Sequence, residues 1–227
     1  MLEGDAAHHL GHVLRGQTGQ LYELSDGIAV WLGRIESVSR NRIEFALLEA
    51  LPATQPAADI TLFLAITKFD AFEWALEKAT ELGVLKIVPL AAARSEKSLV
   101  SAAAKRSERW RKILLESSQQ SRRLCIPELA ETIKPAAAFS DCGERLRIVF
   151  SERPDAPALK RVLEGASAAR ARAFAVAVGP EGGWTDYELI AAREAGYIEA
   201  SLGPLILRAE TAVSAALAVL NFWSSVD

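Results

Sequence analysis

Residues 173–188 read Ala-Phe-Ala-Val-Ala-Val-Gly-Pro-Glu-Gly-Gly-Trp-Thr-Asp-Tyr-Glu. The first part, Ala173–Val178, carries no charge, as expected of a strand buried on both faces. Gly179-Pro180-Glu181-Gly182-Gly183 then forms a loop in which glycine lets backbone approach a ligand closely. Thr185 and Glu188 have the spacing of a capping box, so a helix is expected over Thr185–Ala195. A strand, a glycine-rich loop and a capped helix make one βα unit of a parallel sheet. Its loop lies at the carboxyl edge, where open α/β sheets bind ligands.

The same rhythm extends in both directions. Strands are expected at Ile60–Ile66, Lys86–Leu90, Leu146–Phe150 and Ala200–Leu202. Helical spacing of Phe69, Phe72, Ala75, Leu76 and Ala79 predicts a helix over Phe69–Leu82, stopped by Gly83. Further helices are expected at Arg109–Gln120, Ala158–Gly165 and Thr211–Trp223. The last is apolar nearly all round, so it is expected to be buried on both sides, inside the domain or against a second subunit. The fold class is therefore α/β, with a parallel sheet covered on both faces.

Residues 1–50 differ. Short β-type runs at Gln20–Leu24, Ile28–Leu32, Ile35–Ser39 and Ile43–Leu48 are separated by turn signals such as Ser25-Asp26-Gly27, the pattern of a small antiparallel barrel. Leu51-Pro52-Ala53-Thr54-Gln55-Pro56 reads as a linker. The expected domains are residues 1–55 and residues 56–227.

A second loop, Leu202-Gly203-Pro204-Leu205-Ile206-Leu207-Arg208-Ala209-Glu210-Thr211, also follows a strand and opens a helix. Charges beside an apolar helix are costly unless they meet each other or a ligand. Arg208 and Glu210 are therefore either a structural salt bridge or part of a site. The first loop is neither a G-x-G-x-x-G fingerprint nor a P-loop, and no such fingerprint follows Ile66 early in the α/β domain, which argues against a nicotinamide oxidoreductase.

The chain has 227 residues, 50% hydrophobic and 24% charged, which excludes disordered and fibrous classes. No apolar run reaches the ~18 residues of a membrane span, and Met1-Leu2-Glu3-Gly4-Asp5 does not open a signal peptide. Cys125 and Cys142 are too few for a disulfide framework; both are expected as buried thiols in a reducing cytoplasm. His8, His9 and His12 lack further metal ligands, so no metal is expected. Net charge is −3, yet Arg94 to Arg123 holds nine positive and three negative side chains. Such an excess is either a solvated helix face or the footprint of a polyanion.

With these residues in view, the chain resembles a known family. His8-His9-Leu10 with Val13-Leu14-Arg15 looks like the opening of the RsmE family, SPOUT-class methyltransferases acting on uridine N-3 in 16S ribosomal RNA. The likeness continues through Glu73–Gly83, Pro89-Leu90, Arg94-Ser95, Arg109-Trp110, Gln120-Ser121, Arg123, Pro127-Glu128 and both loops, in order. It implies a PUA-like RNA-binding barrel in residues 1–55 and a SPOUT domain with a trefoil knot in residues 56–227. S-adenosylmethionine (SAM) would be held by Val178, Gly179, Pro180, Glu181, Gly182, Gly183, Leu202, Gly203, Pro204, Leu207, Thr211 and Ala212, and leave as S-adenosylhomocysteine. Arg208 and Glu210 would be catalytic. His9, Arg15, Arg94, Arg109, Arg122 and Arg123 would contact RNA. The partners implied are 16S rRNA in the small ribosomal subunit and a second copy, a homodimer joined through the knot region and last helix, in the cytoplasm. Two departures stand out. The family usually has a strand before the His-His-Leu opening, so either the start is placed late or the barrel lacks an edge strand. Leu205 also stands where the family usually has arginine. The alternatives are a SPOUT enzyme acting on another RNA, such as tRNA ribose 2′-O, and a catalytically silent RNA-binding dimer.

Overall fold

The computed structural model describes residues 1–39, 41–52, 56–140, 143, 145–165 and 172–225. The chain divides into two compact units, Met1–Gln55 and Pro56–Asp227. Cys142 lies outside the described residues.

The first unit contains β1 (Leu2–Glu3), α1 (Gly4–His8), a π-helical turn (His9–Val13), β2 (Leu21–Ser25), β3 (Val30–Ser39) and β4 (Arg42–Leu51). The strands form a curled antiparallel sheet in the order β1-β4-β3-β2. Two expectations are corrected here. Ile28–Leu32 and Ile35–Ser39 are not separate strands: β3 runs through Gly33-Arg34, with register shifts at Leu32/Gly33 and Ile35/Ser37. Bulges bend a strand without ending it, so the sequence there looks interrupted while the ladder continues. An edge strand is also present, because Leu2 and Glu3 pair with Ile43 and Arg42. The core of this unit is small: Ala7, Leu10, Ile35 and Ile43.

The second unit alternates strand and helix: β5 (Asp59–Ala65), α2 (Phe69–Glu81), β6 (Lys86–Leu90), α3 (Lys97–Gln120), β7 (Glu128–Leu129), α4 (Pro135–Phe139), β8 (Leu146–Phe150), α5 (Leu159–Leu163), β9 (Ala173–Val178), α6 (Asp186–Glu194), β10 (Ile198–Ala200) and α7 (Ala209–Ser225). Six strands make a parallel sheet ordered β10-β8-β9-β5-β6-β7. The uncharged strand β9 sits inside it, between β8 and β5. Period-two alternation along β5 divides the core. Ile60, Leu62 and Leu64 face Phe72, Leu76, Trp110 and Leu217 on one side. Phe63 and Ala65 face Phe139, Leu189 and Tyr197 on the other. The sheet is thus covered on both faces.

Two expectations of detail are corrected. α3 begins at Lys97 rather than Arg109. Its first turns carry little apolar periodicity, but Ala, Lys, Arg and Glu are strong helix formers. The last helix, expected to be buried on both sides inside the domain or against a second subunit, buries one side within this chain. Val213, Leu217 and Leu220 are buried, while Val219 and Phe222 are exposed at 41% and 70%. Cys125 is exposed, not buried, because it lies in the loop between α3 and β7.

Arg123 has a structural position. Its Nη1 donates to the carbonyls of Thr80 and Val84, each at 2.8 Å, at the carboxyl end of α2. Burial pulls its guanidinium below the usual arginine range, so these bonds hold a charge that has lost much of its water. Arg123→Met leaves both carbonyls without this donor. It should cost about 2 kcal/mol in urea unfolding, the usual worth of bonds to a charged group.

Candidate active site

The carboxyl ends of β8, β9 and β10 lie side by side, because Val149 pairs with Ala177 and Glu199 with Val149. The loops that follow these strands therefore converge. Between them is a cavity of about 370 Å³. Val178, Gly179, Pro180, Glu181, Gly182 and Gly183 line it from the loop after β9. Ser201, Leu202, Gly203, Leu205 and Leu207 line it from the loop after β10, and Ala209 and Ala212 from the start of α7.

Most of the residues expected to hold a cofactor are brought together here. Pro204 and Thr211 are not among the lining residues. A further wall comes from Phe150, Ser151, Glu152, Arg153 and Pro154. Sequence reading missed this wall, since Ser-Glu-Arg-Pro carries no ligand signature. Its position directly after a parallel strand was the available signal.

The glycines have specific reasons. A Cβ on Gly179 would lie 3.0 Å from Cε2 of Trp184, and one on Gly182 would lie 3.3 Å from Cβ of Arg94. Trp184 cannot easily retreat, because its Nε1 donates to the Phe150 carbonyl at 2.9 Å. Gly183 has φ +69°, a conformation costly for any residue with a Cβ. The loop is thus packed against its neighbours and leaves its backbone bare to the cavity.

Polar anchors hold the loop in place. Glu188, 5% exposed, completes the expected capping box: its Oε2 accepts from Thr185 N and Thr185 Oγ1, and its own N–H donates to Thr185 Oγ1. Arg94 Nη1 donates to the Gly182 carbonyl at 2.7 Å. Arg94, expected as an RNA contact, therefore also lines the cavity.

Arg208 and Glu210 do not line the cavity, and no ion pair joins them among the described residues. Arg208 is exposed, and its carbonyl accepts from Ala212 N at 2.8 Å, opening α7. Leu205 and Leu207 line the cavity while Ile206 and Arg208 do not, an extended alternation. The other expected RNA residues are dispersed. Arg109 is exposed and donates from Nε to Glu73 at 2.7 Å, with Arg106 on the same carboxylate at 3.3 Å. Arg122 is exposed at φ +54° and Arg15 at φ +53°. His9 is exposed on the π-helical turn beside the stacked His8 and His12 rings. No group of three metal-ligating side chains occurs among the described residues.

The site's materials suit a small-molecule ligand. Val178, Leu202, Leu205, Leu207 and Ala212 offer apolar walls, and the bare glycine backbone offers hydrogen-bonding groups, the usual composition of a small-molecule site.

Comparisons agree with this geometry. Residues 54–221 match the family model for an RNA methyltransferase domain. Ribosomal RNA small subunit methyltransferase E of Synechocystis is 32% identical over 94% of this chain and 70% of its own length. That of Aquifex aeolicus is 32% identical over 85% and 82%. The crystal structure of the Neisseria gonorrhoeae enzyme bound to SAM superimposes with TM-score 0.87 at 31% identity, covering 97% of this chain and 90% of that one. A SAM-bound methyltransferase of Legionella pneumophila gives TM-score 0.84 at 28% identity, covering 96% and 89%. By these matches the chain belongs to the RNA methyltransferase domain family as one of the ribosomal RNA small subunit methyltransferase E proteins.

Proposed function

We propose that this protein transfers a methyl group from SAM to N-3 of a uridine in 16S rRNA of the small ribosomal subunit, in the cytoplasm. The observation that carries this reading is the cavity between the loops after β8, β9 and β10, in a chain that superimposes at TM-score 0.87 on a SAM-bound relative. SAM supplies a methyl on a sulfonium, an electrophile that needs no metal.

The protein's task is placement. The reaction is an in-line displacement, so the uracil nitrogen must be held close to the methyl and opposite the departing sulfur. N-3 carries a proton that is lost before or during attack, and negative charge spreads to the two flanking carbonyl oxygens. A positioned cation stabilises that charge, and Arg208 is assigned this role. Glu210, half-buried on the first turn of α7, takes the proton or orients Arg208. Both adjoin Leu207 and Ala209, which line the cavity, in sequence, and neither is itself part of its wall.

The finer architecture belongs to the same reading. The C-terminal segment is assigned a trefoil knot: after the edge strand β10 the chain returns to α2, where Asn221 Nδ2 donates to the Leu82 carbonyl at 2.6 Å. The exposed face of α7, with Val219 and Phe222, suits a homodimer contact. The β-rich first unit is assigned a PUA-like role in RNA binding, and the basic side of α3 the tracking of phosphates.

Methyl transfer from labelled SAM to small subunits lacking this modification should yield 3-methyluridine at one site. Unlabelled subunits in the presence of bound SAM would reject the RNA half of the proposal. Arg208→Ala should lower kcat by about 10²-fold or more, the usual effect of removing one such charge-stabilising group, with SAM affinity nearly unchanged. Gly179→Ala drives Trp184 away from its bond to Phe150. It should weaken SAM binding by about tenfold or more in calorimetry, an effect of about 1.4 kcal/mol.

A further inference from the structure

The turn at Ala92–Ser95 does not belong to the cofactor loops, yet it is fastened to them. It follows β6 and leads into α3, the helix that carries most of the basic window. Glu188 divides its carboxylate between two elements. Oε2 accepts from Thr185, within its own helix cap, and Oε1 accepts from Ala93 N at 2.8 Å, across 95 residues of sequence. Capping needs only the first of these. Next to Ala93, Arg94 reaches back and donates to the Gly182 carbonyl at 2.7 Å, packing over Gly182 so closely that a Cβ there would lie 3.3 Å from it. Ser95 is buried and donates to the Ile66 carbonyl at 2.7 Å, tying the same turn to the sheet. The turn and the glycine loop therefore form one clasped unit, with a buried acidic residue at its centre and an exposed arginine at its rim.

We infer that Glu188 is a positioning residue that, acting through the Ala93–Arg94 turn, couples occupancy of the cofactor cavity to RNA binding at the start of α3. Resting on the methyltransferase reading, the argument is physical. Cofactor in the cavity presses on Gly182 and Gly183, which Arg94 holds. RNA on Arg94 draws on the same side chain. Each ligand therefore orders an element that the other requires, and such coupling is reciprocal. Removing the carboxylate frees the turn from the loop. A glutamine keeps one acceptor but sets its NH₂ against a backbone or hydroxyl donor, so one arm of the clasp is lost while size and shape are kept.

The test is calorimetric titration of S-adenosylhomocysteine, which has no methyl to transfer, into the protein, with and without an unmethylated 16S rRNA transcript, for wild type and Glu188→Gln. In wild type, RNA should tighten S-adenosylhomocysteine by about fivefold or more, the low end of ordinary coupling, and S-adenosylhomocysteine should tighten RNA by the same factor. Glu188→Gln should keep a cooperative thermal transition yet reduce that factor below about twofold. A purely structural role would lower the melting temperature and leave the factor intact, which would overturn the inference. Should Glu188→Gln fail to fold, Arg94→Gln severs the clasp from its exposed side and must abolish the coupling likewise; coupling retained there also overturns it. Wild type that binds SAM and transfers methyl without coupling would sink this inference and leave the proposed function standing. Wild type that binds no SAM would remove both.

Discussion

Everything at the site depends on the alignment of three parallel strands. β9 is hydrogen-bonded on both sides, to β8 and β5, through Ile148↔Val176, Val149↔Ala177 and Leu64↔Val178. A strand so placed has no solvent-facing side and no open edge, which is why Ala173–Val178 carries no polar group. Buried backbone donors and acceptors must all be paired, so this register cannot slip by one residue without turning every side chain to the wrong face. The fixed register brings the ends of β8, β9 and β10 level. The cavity is the space left where their loops turn away.

The walls of that space are fastened by side chains bonded to other parts of the chain. Trp184 fills the room a side chain on Gly179 would need, and is itself pinned by the Phe150 carbonyl. Glu188 is buried and accepts from both its own cap and a distant turn. A site for small, precise displacement chemistry gains from such support, since misplacement by about 1 Å can cost 10²-fold in rate.

The basic residues show how one charge count hides different duties. Between Arg94 and Arg123 the chain has an excess of positive charge, but much of it is engaged within the protein. Arg123 satisfies two carbonyls at the end of α2. Arg106 and Arg109 share the buried Glu73, and Arg106 also stacks on Phe69. Arg94 clasps Gly182. A guanidinium has five donors, so one bond inward leaves others for phosphate. Lys105, Arg111 and Lys112 lie exposed on α3, where Arg111 reaches Ser107 at 3.4 Å and Lys112 reaches Glu116 at 3.8 Å.

The sequence by itself determined the βα rhythm, the uncharged central strand, the Thr185–Glu188 cap and the two glycine-bearing loops. Each of these rests on local chemistry: periodicity, capping and backbone freedom act within a few residues. It could not show that Ser151–Pro154 forms a wall of the cavity, that Arg208 and Glu210 stand apart, or that Glu188 reaches Ala93. It also broke β3 at a bulge and began α3 too late, because bulges and weakly amphipathic helix turns leave little periodic trace. It marked α7 as apolar nearly all round without saying which side the domain itself covers; packing on α2 leaves Val219 and Phe222 exposed in this chain. Those matters belong to the tertiary structure alone, because they depend on which strand ends the parallel register sets side by side, and residues some 95 positions apart carry no mark of their meeting.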